Sequence, residues 1–302
     1  MNLLQHRRNV YSQNGEDGNV EAILDNFRTL NHWCVEFGAW DGVYLSNTRN
    51  LIQNKGYRAV LIEPNSAHFC KLKDNIKDYP GVVALNSFVG FSGDHNLDHL
   101  LSETDCPRDF DFLSIDVDGN DIHIWRAVSR FRPKLVCIEY NPNIPTEVIF
   151  EQPADQKIRW GCSLAALENL AREKNYELVC ANEYNAFFVV SEYFPQFSLT
   201  DNSAGALRPN DAPRNMVFFG FDGTLLLSGN VVTPWHELEV SKEEIQPIPA
   251  FLRKYHARTA ICYFPQDWCG VDHCAISQAS GWERPPLRNS CLPAAMGGRE
   301  PV

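Results

Sequence analysis

The chain has 302 residues, of which 44% are hydrophobic and 22% are charged, and its formal net charge is −11 at pH 7. This length can bury one large core. No run reaches the roughly 20 apolar residues of a membrane helix, and the N-terminal stretch lacks the apolar segment of a signal peptide. The acidic balance argues against nucleic-acid binding, which needs many Lys and Arg contacts to phosphate, and against an anionic membrane surface. We therefore expect a soluble, cytoplasmic protein.

Three of the ten cysteines, Cys34, Cys137 and Cys180, lie inside apolar, strand-like runs. Cysteines in such runs behave as small buried hydrophobic residues rather than as disulfide partners. The sequence therefore predicts reduced thiols at these positions.

The first predicted element is an amphipathic helix, because apolar residues recur at helical spacing from Val20 to Leu30. Five short apolar runs follow, and each ends in a polar or acidic residue. They are "WCVEF", "AVLIE", "VVALN", "DFLSID" and "KLVCIEY". Runs of this kind are typical of strands that are buried on both faces of a parallel sheet.

Helix-length segments separate these runs. Ser46 is a candidate N-cap before "NTRNLIQNK", which Gly56 would end, and Ser66 is a candidate N-cap for the next helix. A further helical stripe extends from Ile122 to Phe131. This alternation of strands and helices predicts an α/β fold with right-handed crossovers.

The order of elements changes at the end of this pattern. The helix-like "SLAALENLAREKN" precedes "YELVCA" and "AFFVVSEYF", which only "NEYN" separates. So short a connection cannot hold a crossover helix but suits a hairpin. We therefore predict a Rossmann-like α/β fold with a mostly parallel seven-stranded sheet that ends in an antiparallel hairpin, with helices on both faces.

The domain organisation is predicted from where this pattern stops, near Phe197. We predict one α/β domain over residues 10–197 and an irregular C-terminal extension, with scattered apolar clusters, over residues 198–258. Residues 259–302 mix Gly, Pro, Ser and Trp without any period, and we predict a poorly ordered tail there.

Polar residues and glycines cluster where the predicted strands end. In an open parallel sheet, ligands bind outside the carboxyl ends of the strands, near the point where the strand order reverses. The candidates in chain order are Glu36, Gly38, Asp41, Gly42, Glu63, Asn86, Asp116, Asp118, Glu139 and Asn141. Gly38 and Gly42 would let a ligand approach the backbone closely, and Glu63 is placed to accept hydrogen bonds from a ribose diol.

The charge of these residues indicates which ligand they suit. Glu36 and Asp41 flank the glycine turn with negative charge and the motif is not GxGxxG, so a pyrophosphate would bind poorly. A nucleoside that carries a cation fits better, and S-adenosylmethionine has an ammonium, a sulfonium and a free ribose. Gln13 and Glu16 offer further partners for such a nucleoside, although "YSQNGED" is equally consistent with a polar lead-in that caps the first helix.

Several motifs together resemble the FkbM-type methyltransferases, which are class I enzymes that depend on S-adenosylmethionine. They are "YSQNGED", "VEFGAWDGVYLSNTRNL", "LIEPN", "FLSIDVDGND" and "CIEYNP", within residues 11–194. The resemblance implies the class I methyltransferase fold, in which the residues around the methionine moiety of the cofactor would be Glu36, Gly38, Asp41 and Gly42. It also implies that Glu63 holds the ribose and that Asn86 lies near the adenine.

Two positions depart from the pattern of this family. Trp40 stands where the family commonly has Asn, and Asp118 stands where it often has Glu. The first change affects how the glycine turn packs. The second shortens a carboxylate near the expected reaction centre.

Methyl transfer from a sulfonium is an in-line displacement, so the enzyme mainly aligns donor and acceptor. An alcohol acceptor must also lose a proton, and the candidate general bases are Asp116, Asp118, Glu139 and His123. Asp116, Glu139 and Asn141 could instead hold Mg²⁺, which lowers the pKa of the acceptor. Crowded carboxylates without a cation raise one another's pKa and would also supply a base near neutral pH. Both alternatives are open at this point.

The sequence thus predicts an S-adenosylmethionine-dependent methyltransferase that methylates a hydroxyl on a small molecule, sugar or glycan. One rival is a catalytically silent relative that keeps the fold as a binding or scaffolding module. Another is a nicotinamide-dependent oxidoreductase with the same sheet topology, against which the missing GxGxxG motif and the terminal hairpin count.

Overall fold

The computed structural model describes residues 2–208, 217–227, 231–233 and 238–254. One seven-stranded sheet has the order β3-β2-β1-β4-β5-β7-β6. Its strands are β1 (Trp33–Phe37), β2 (Arg58–Ile62), β3 (Val82–Leu85), β4 (Phe112–Ile115), β5 (Leu135–Glu139), β6 (Tyr176–Ala181) and β7 (Asn185–Val190). The first five strands are parallel, and β7 runs antiparallel to both β5 and β6. The predicted mostly parallel sheet with a terminal hairpin is confirmed.

Helices cover both faces of this sheet, as predicted. They are α1 (Glu16–Leu24), α2 (Arg49–Lys55), α3 (Ser66–Ile76), α4 (Leu97–Ser102), α5 (Asp121–Ala127) and α6 (Leu164–Glu173). The first three bury apolar side chains such as Ile23 and Leu72 in one core cluster. The next three bury side chains such as Trp125 and Leu167 in a second cluster. Each fully buried large apolar side chain contributes about 1.5–3 kcal/mol to folding.

The burial of the strands follows their place in the sheet. Every residue of β1, β4 and β5 is buried, as the continuous apolar runs predict. The strand β3 is different, because it lies at the edge and Val83 is 38% exposed. The prediction of burial on both faces was therefore wrong for this strand.

The ends of the helices correct several predictions. Asn65, and not Ser66, caps α3, because its Oδ1 accepts the N–H groups at the start of the helix. The helix α5 ends before Val128, whose ψ of 119° is extended. Gly56 does end α2, with a left-handed φ of 69°. The Ser46 hydroxyl accepts the Arg49 N–H at 3.0 Å, although Thr48 is the residue that directly precedes the helix.

The short helix α4 was not predicted. It lies in the connection between β3 and β4, where Asn96 caps it through the Asp98 N–H at 2.7 Å. Only Leu97 and Leu101 supply its buried apolar side. Leu100 packs partly buried beside them, but six residues are too few to identify a helical period from the sequence.

The packed core continues past the hairpin. Phe197 is fully buried, and α7 (Ala204–Leu207) places Ala204 in the same core cluster as Trp125. Arg208 donates hydrogen bonds to the backbone carbonyls of Pro142 and Ile144. Residues up to 208 thus pack on the α/β domain.

The chain divides into two units, one of residues 1–220 with 224–247 and one of residues 221–223 with 248–302. In the first unit, β8 (Val217–Phe219) pairs with β9 (Leu225–Leu227), and β10 (Val231–Thr233) pairs with β11 (Leu238–Val240), both antiparallel. In the second, Gly223 has a φ of 85° and lies against Ile248. The predicted tail over residues 259–302 lies outside the described residues.

The six cysteines that the structure describes are all free, and Cys34, Cys137 and Cys180 are buried as predicted. Among the described residues, no helix has the length and apolar character needed to cross a membrane.

Candidate functional site

The register of the sheet brings the strand-end residues into one row. Phe37 is paired with both Ile62 and Ile115, Ile62 with Leu85, and Ile115 with Ile138. The residues that directly follow these five therefore share the carboxyl edge, and they are Gly38, Glu63, Asn86, Asp116 and Glu139. The row crosses the junction between β1 and β4, where the strand order reverses.

The two glycines of the first turn are required by the packing of the protein itself. Gly38 has a φ of 72°, and a Cβ there would lie 2.3 Å from the Asp116 carbonyl oxygen. Gly42 has a φ of 73°, and its Cβ would lie 2.5 Å from Cδ1 of Leu72. A side chain at Gly38 would therefore force two backbone segments apart, whereas at Gly42 it would be strained by the positive φ and would displace the end of the Leu72 side chain. Gly38 lets the tips of β1 and β4 approach each other at the reversal point.

Glu36 is buried and anchors the connection between β1 and α2. Its carboxylate accepts the Ser46 hydroxyl at 2.6 Å, the Asn47 N–H at 2.8 Å and the Thr48 hydroxyl at 2.6 Å. Burial raises the pKa of Glu36, and these three donors lower it. The sequence did not single out Ser46 or Thr48 as partners of this acid.

Glu63, at the end of β2, is 5% exposed and ties two turns together. Its carboxylate accepts the Trp40 N–H at 2.9 Å and the Asn65 N–H at 2.7 Å. His68 Nδ1 lies 3.8 Å from one of its oxygens, and the imidazole stacks on the Trp40 indole with ring centroids 3.9 Å apart. A carboxylate can accept about four hydrogen bonds, so Glu63 keeps capacity for a ligand.

Trp40 has an unusual backbone conformation for a bulky residue. Its φ of 50° is left-handed, a conformation that Asn tolerates and a bulky side chain rarely adopts. The indole is 47% exposed, so this Trp is not a core residue, whereas Trp33 and Trp125 are buried. Asn at this position would adopt this backbone with less strain.

Asp41 and Asn86 stabilise neighbouring parts of the same edge. Asp41 Oδ1 accepts the N–H groups of Val43 at 3.0 Å and Tyr44 at 2.8 Å. The exposed Asn86 donates its amide to the Glu63 carbonyl at 2.8 Å. Both side chains lie at the edge where the sequence predicted them.

The two residues predicted in "YSQNGED" differ in environment. Gln13 is exposed, whereas Glu16 is fully buried and accepts hydrogen bonds from Asn182 at 2.7 Å and Asn185 at 3.1 Å. Asn185 is paired with Glu139 across β5 and β7. Glu16 therefore joins the start of α1 to the hairpin, beside the end of β5.

The structure brings three predicted acids together. Asp116, Asp118 and Glu139 each offer a carboxylate oxygen, and these oxygens lie within 4.8 Å of one another. Burial, and then the charges of Asp121 and Asp118, raise the pKa of Asp116 to about 8. No ion pair among the described residues joins Asp116 or Asp118 to Lys, Arg or His. A cation that binds beside Asp116 would lower this raised pKa.

Asp121 holds the turn that carries Asp118 and was not singled out in the sequence. It accepts the Val117 N–H at 2.9 Å and the Gly119 N–H at 2.8 Å. Burial raises the pKa of Asp121 to about 6. Asp118 itself has a left-handed φ of 55°. An acid in the first turn of a predicted helix was the available signal for Asp121.

His123 and Asn141 both have structural partners. His123 Nε2 lies 2.8 Å from the Gln152 carbonyl, and its Nδ1 lies 3.2 Å from the Arg126 guanidinium. Asn141 donates to the Trp160 carbonyl at 3.0 Å and accepts the Asn143 N–H at 2.9 Å. The structure therefore does not group His123 with the three acids.

A cavity of about 100 Å³, partly open to solvent, adjoins Asp118 of the acid cluster. Its residues come from the connections after β3, β4 and β5, and they are Phe88, Val89, Phe91, Val117, Asp118, Asn120, Ile124, Gln156 and Arg159. Small-molecule sites commonly combine apolar walls with a few polar groups in this way. The connections after β3 and β5 each contribute loop residues to it.

No family model and no curated protein matches the chain. Among solved structures, it is similar to the N-terminal domain of EvdMO1 in the presence of SAH and D-fucose, with 12% identity, TM-score 0.37 and coverage of 58% of this chain and 82% of that one. It is similar to a SAM-dependent methyltransferase from Aquifex aeolicus, with 11% identity, TM-score 0.36 and coverage of 57% and 89%. It is also similar to the CurJ carbon methyltransferase, with 8% identity, TM-score 0.43 and coverage of 60% of this chain and 56% of that one. These likenesses are low, so the fold is stated from the strand order of the chain itself.

Proposed function

We propose that this chain is an S-adenosylmethionine-dependent methyltransferase that acts on a hydroxyl of a small molecule, sugar or glycan. The observation that carries the proposal is the row of strand-end residues across the reversal point of the sheet. In this row Asp116 has no ion-pair partner among the described residues, and its pKa is raised to about 8. A ligand that brings positive charge would relieve this electrostatic cost.

In this proposal Glu63 binds the ribose of the cofactor. Its two backbone hydrogen bonds fix the carboxylate and leave acceptor capacity for a diol. The cavity lies between the connections after β3, β4 and β5, and its aromatic and apolar walls suit a planar base. We assign the negative and polar surroundings of the methionine moiety to Glu36, Asp41, Gln13 and Glu16.

The acid cluster of Asp116, Asp118 and Glu139 is assigned to the acceptor. A general base works best when its pKa lies near the operating pH, and the raised pKa of Asp116 meets this condition. Oxygens within 4.8 Å of one another would equally hold a divalent cation that lowers the pKa of the acceptor. Activity that falls in EDTA and returns with Mg²⁺ identifies the cation, and activity that EDTA leaves unchanged identifies the base.

The test is incubation of the full chain with methyl-labelled S-adenosylmethionine and a panel of hydroxyl acceptors, beside equilibrium dialysis of the labelled cofactor. Binding together with transfer supports the enzyme. Binding without transfer to any acceptor supports the catalytically silent module. Absence of cofactor binding at millimolar concentration, which corresponds to less than about 4 kcal/mol of affinity, would contradict both. NADH is the matched control ligand, and its binding instead would favour the oxidoreductase.

A further inference from the structure

The connection between β5 and α6 crosses the carboxyl edge close to the acid cluster. A Cβ on Gly119 would lie 3.0 Å from Cα of Arg159 and 3.1 Å from the Ile158 carbonyl oxygen. Asn141 donates to the Trp160 carbonyl at 3.0 Å. Residues 158–160, which we call the strap, therefore lie between the turn that carries Asp118 and the strand end that carries Glu139.

The backbone of the strap is held by one buried side chain, that of Gln152, which is 2% exposed. Its Oε1 accepts the Trp160 N–H at 2.7 Å and the Gly161 N–H at 2.8 Å, and its Nε2 donates to the Ile158 carbonyl at 2.8 Å. With the bond from Asn141, both backbone polar groups of Trp160 have partners. The strap is therefore fixed in place and does not depend on a ligand for its shape.

The side chain on this fixed backbone is an exposed indole. Trp160 is 54% exposed, whereas Trp33 and Trp125 are buried in the core clusters. Trp is enriched at binding interfaces, because its ring packs on an apolar partner while its N–H finds an acceptor. Trp suits this role because it offers a large contact area and loses little conformational entropy on binding. Trp160 thus combines a rigid backbone and an exposed ring on a strap whose backbone meets Gly119, next to Asp118, and Asn141, two residues after Glu139.

We propose that Trp160 is a specificity-determining residue that stacks on the apolar face of a sugar ring and so presents a ring hydroxyl to the cluster of Asp116, Asp118 and Glu139. The C–H groups of a pyranose carry slight positive charge and are attracted to the negative face of an indole. Carboxylates accept hydrogen bonds from the hydroxyls around the ring. The proposal rests on the proposed function and narrows its acceptor to a carbohydrate.

The reaction balances with the groups already assigned. The hydroxyl oxygen of the sugar forms a bond to the methyl carbon while the carbon–sulfur bond of the cofactor breaks. The bonding pair stays on sulfur, and S-adenosylhomocysteine leaves. The hydroxyl proton passes to a carboxylate of the cluster. No oxidant or reductant is required.

The first experiment measures sugar binding without the cofactor. Saturation-transfer NMR is run with methyl β-D-glucoside, methyl α-D-mannoside and methyl β-D-galactoside, with glycerol and phenol as non-sugar probes. We expect the full chain to bind at least one glycoside in preference to glycerol and phenol. Trp160→Ala should weaken that binding about tenfold, Trp160→Phe should weaken it less, and Ile149→Ala, a change at a 66% exposed residue of the same connection, should leave it unchanged.

The second experiment separates this proposal from the proposed function. In the labelled-methyl assay, Trp160→Ala should raise the KM for the glycoside while kcat and the Kd of the cofactor stay within about threefold. Binding of none of the glycosides, preference for phenol or glycerol, or equal glycoside binding by Trp160→Ala would each overturn the assignment of Trp160. Absence of cofactor binding would overturn the methyltransferase alone, because the NMR result does not depend on it.

Discussion

Buried carboxylates lie at both edges of the sheet. At the amino edge, the charge of the buried carboxylate is balanced by a cation and hydrogen-bond donors of the protein itself. Asp111, which precedes β4, is fully buried and pairs with Lys134 Nζ at 2.6 Å. It also accepts the backbone N–H groups of Asn31 and His32, which precede β1. Every partner of this acid comes from the chain, so the group stabilises the fold and needs no ligand.

The acids at the carboxyl edge of the sheet are arranged differently. Asp116, Asp118 and Glu139 crowd within 4.8 Å, and burial with like charges raises the pKa of Asp116. Bringing these like charges together costs folding free energy. Among the described residues, no ion pair to Asp116 or Asp118 offsets this cost. The amino edge therefore stabilises the fold, whereas we propose that the carboxyl edge binds a ligand that carries positive charge.

The largest expected effect comes from removing the ion pair between Lys134 and Asp111 at the amino edge. Lys134→Met removes the cation and leaves Asp111 buried with only its backbone donors. We expect a loss of about 3–5 kcal/mol in the free energy of unfolding, measured by urea denaturation. The double variant Lys134→Met with Asp111→Asn is the control and should recover part of the loss. A loss below about 1 kcal/mol would show that the pair is not the compensation we describe.

The next effect concerns cofactor affinity at the carboxyl edge. Glu63→Ala removes the proposed ribose ligand, and we expect the affinity for S-adenosylmethionine to fall by about 1–3 kcal/mol. Titration calorimetry measures it, with Asp105→Ala as the control because that carboxylate is 89% exposed in the crossover between α4 and β4. An unchanged affinity would remove Glu63 from the site.

A third prediction uses the pH dependence of stability. The folded pKa of Asp116 is raised to about 8, so between about pH 4 and pH 8 the folded state binds more protons there than the unfolded state. This contribution to stability is therefore lost as the pH rises. Asp116→Asn should be more stable than the natural protein by about 1–3 kcal/mol near pH 8 and should show no advantage near pH 4. Thermal melts across this range give the answer, and a difference that does not change with pH would contradict it.

The smallest expected effect concerns Glu36, which lies at the carboxyl edge but differs from the acid cluster there. Glu36 lies at this edge but is compensated by its own loop, as Asp111 is at the other. Thr48→Val removes one short hydrogen bond to Glu36 and should lower the free energy of unfolding by about 1–2 kcal/mol. Because this bond lies within the loop, we expect the Kd of S-adenosylmethionine to stay within about threefold. A large loss of affinity with unchanged stability would instead place Glu36 in direct contact with the cofactor.

The sequence predicts those parts of the molecule that depend on local patterns. Continuous apolar runs identify the strands, and because parallel strands align their carboxyl ends, the row from Gly38 to Glu139 follows from strand ends alone. The reason that Gly38 is needed was not predictable in this way. The Asp116 carbonyl that contacts it comes from a strand distant in sequence.

The strap is a second feature that could not be predicted from the sequence. Gln152 and Trp160 lie in a connection without regular period, so no pattern distinguishes them from other polar and aromatic loop residues. Their importance comes from hydrogen bonds between residues in the loop and from the close approach to Gly119. Asn65 replaced Ser66 as the cap of α3 for a related reason, because two adjacent residues were both suitable and only the backbone geometry selects one.

The most direct test of the central claim is calorimetric titration of the protein with S-adenosylmethionine near pH 7 in two buffers of different ionisation enthalpy. A cation that binds beside acids with raised pKa lowers that pKa, so binding should release up to about one proton. The account predicts a Kd below about 1 mM with proton release, and a release that disappears in Asp116→Asn while the affinity is kept. Absence of binding at millimolar cofactor, or binding with uptake of protons, would contradict it.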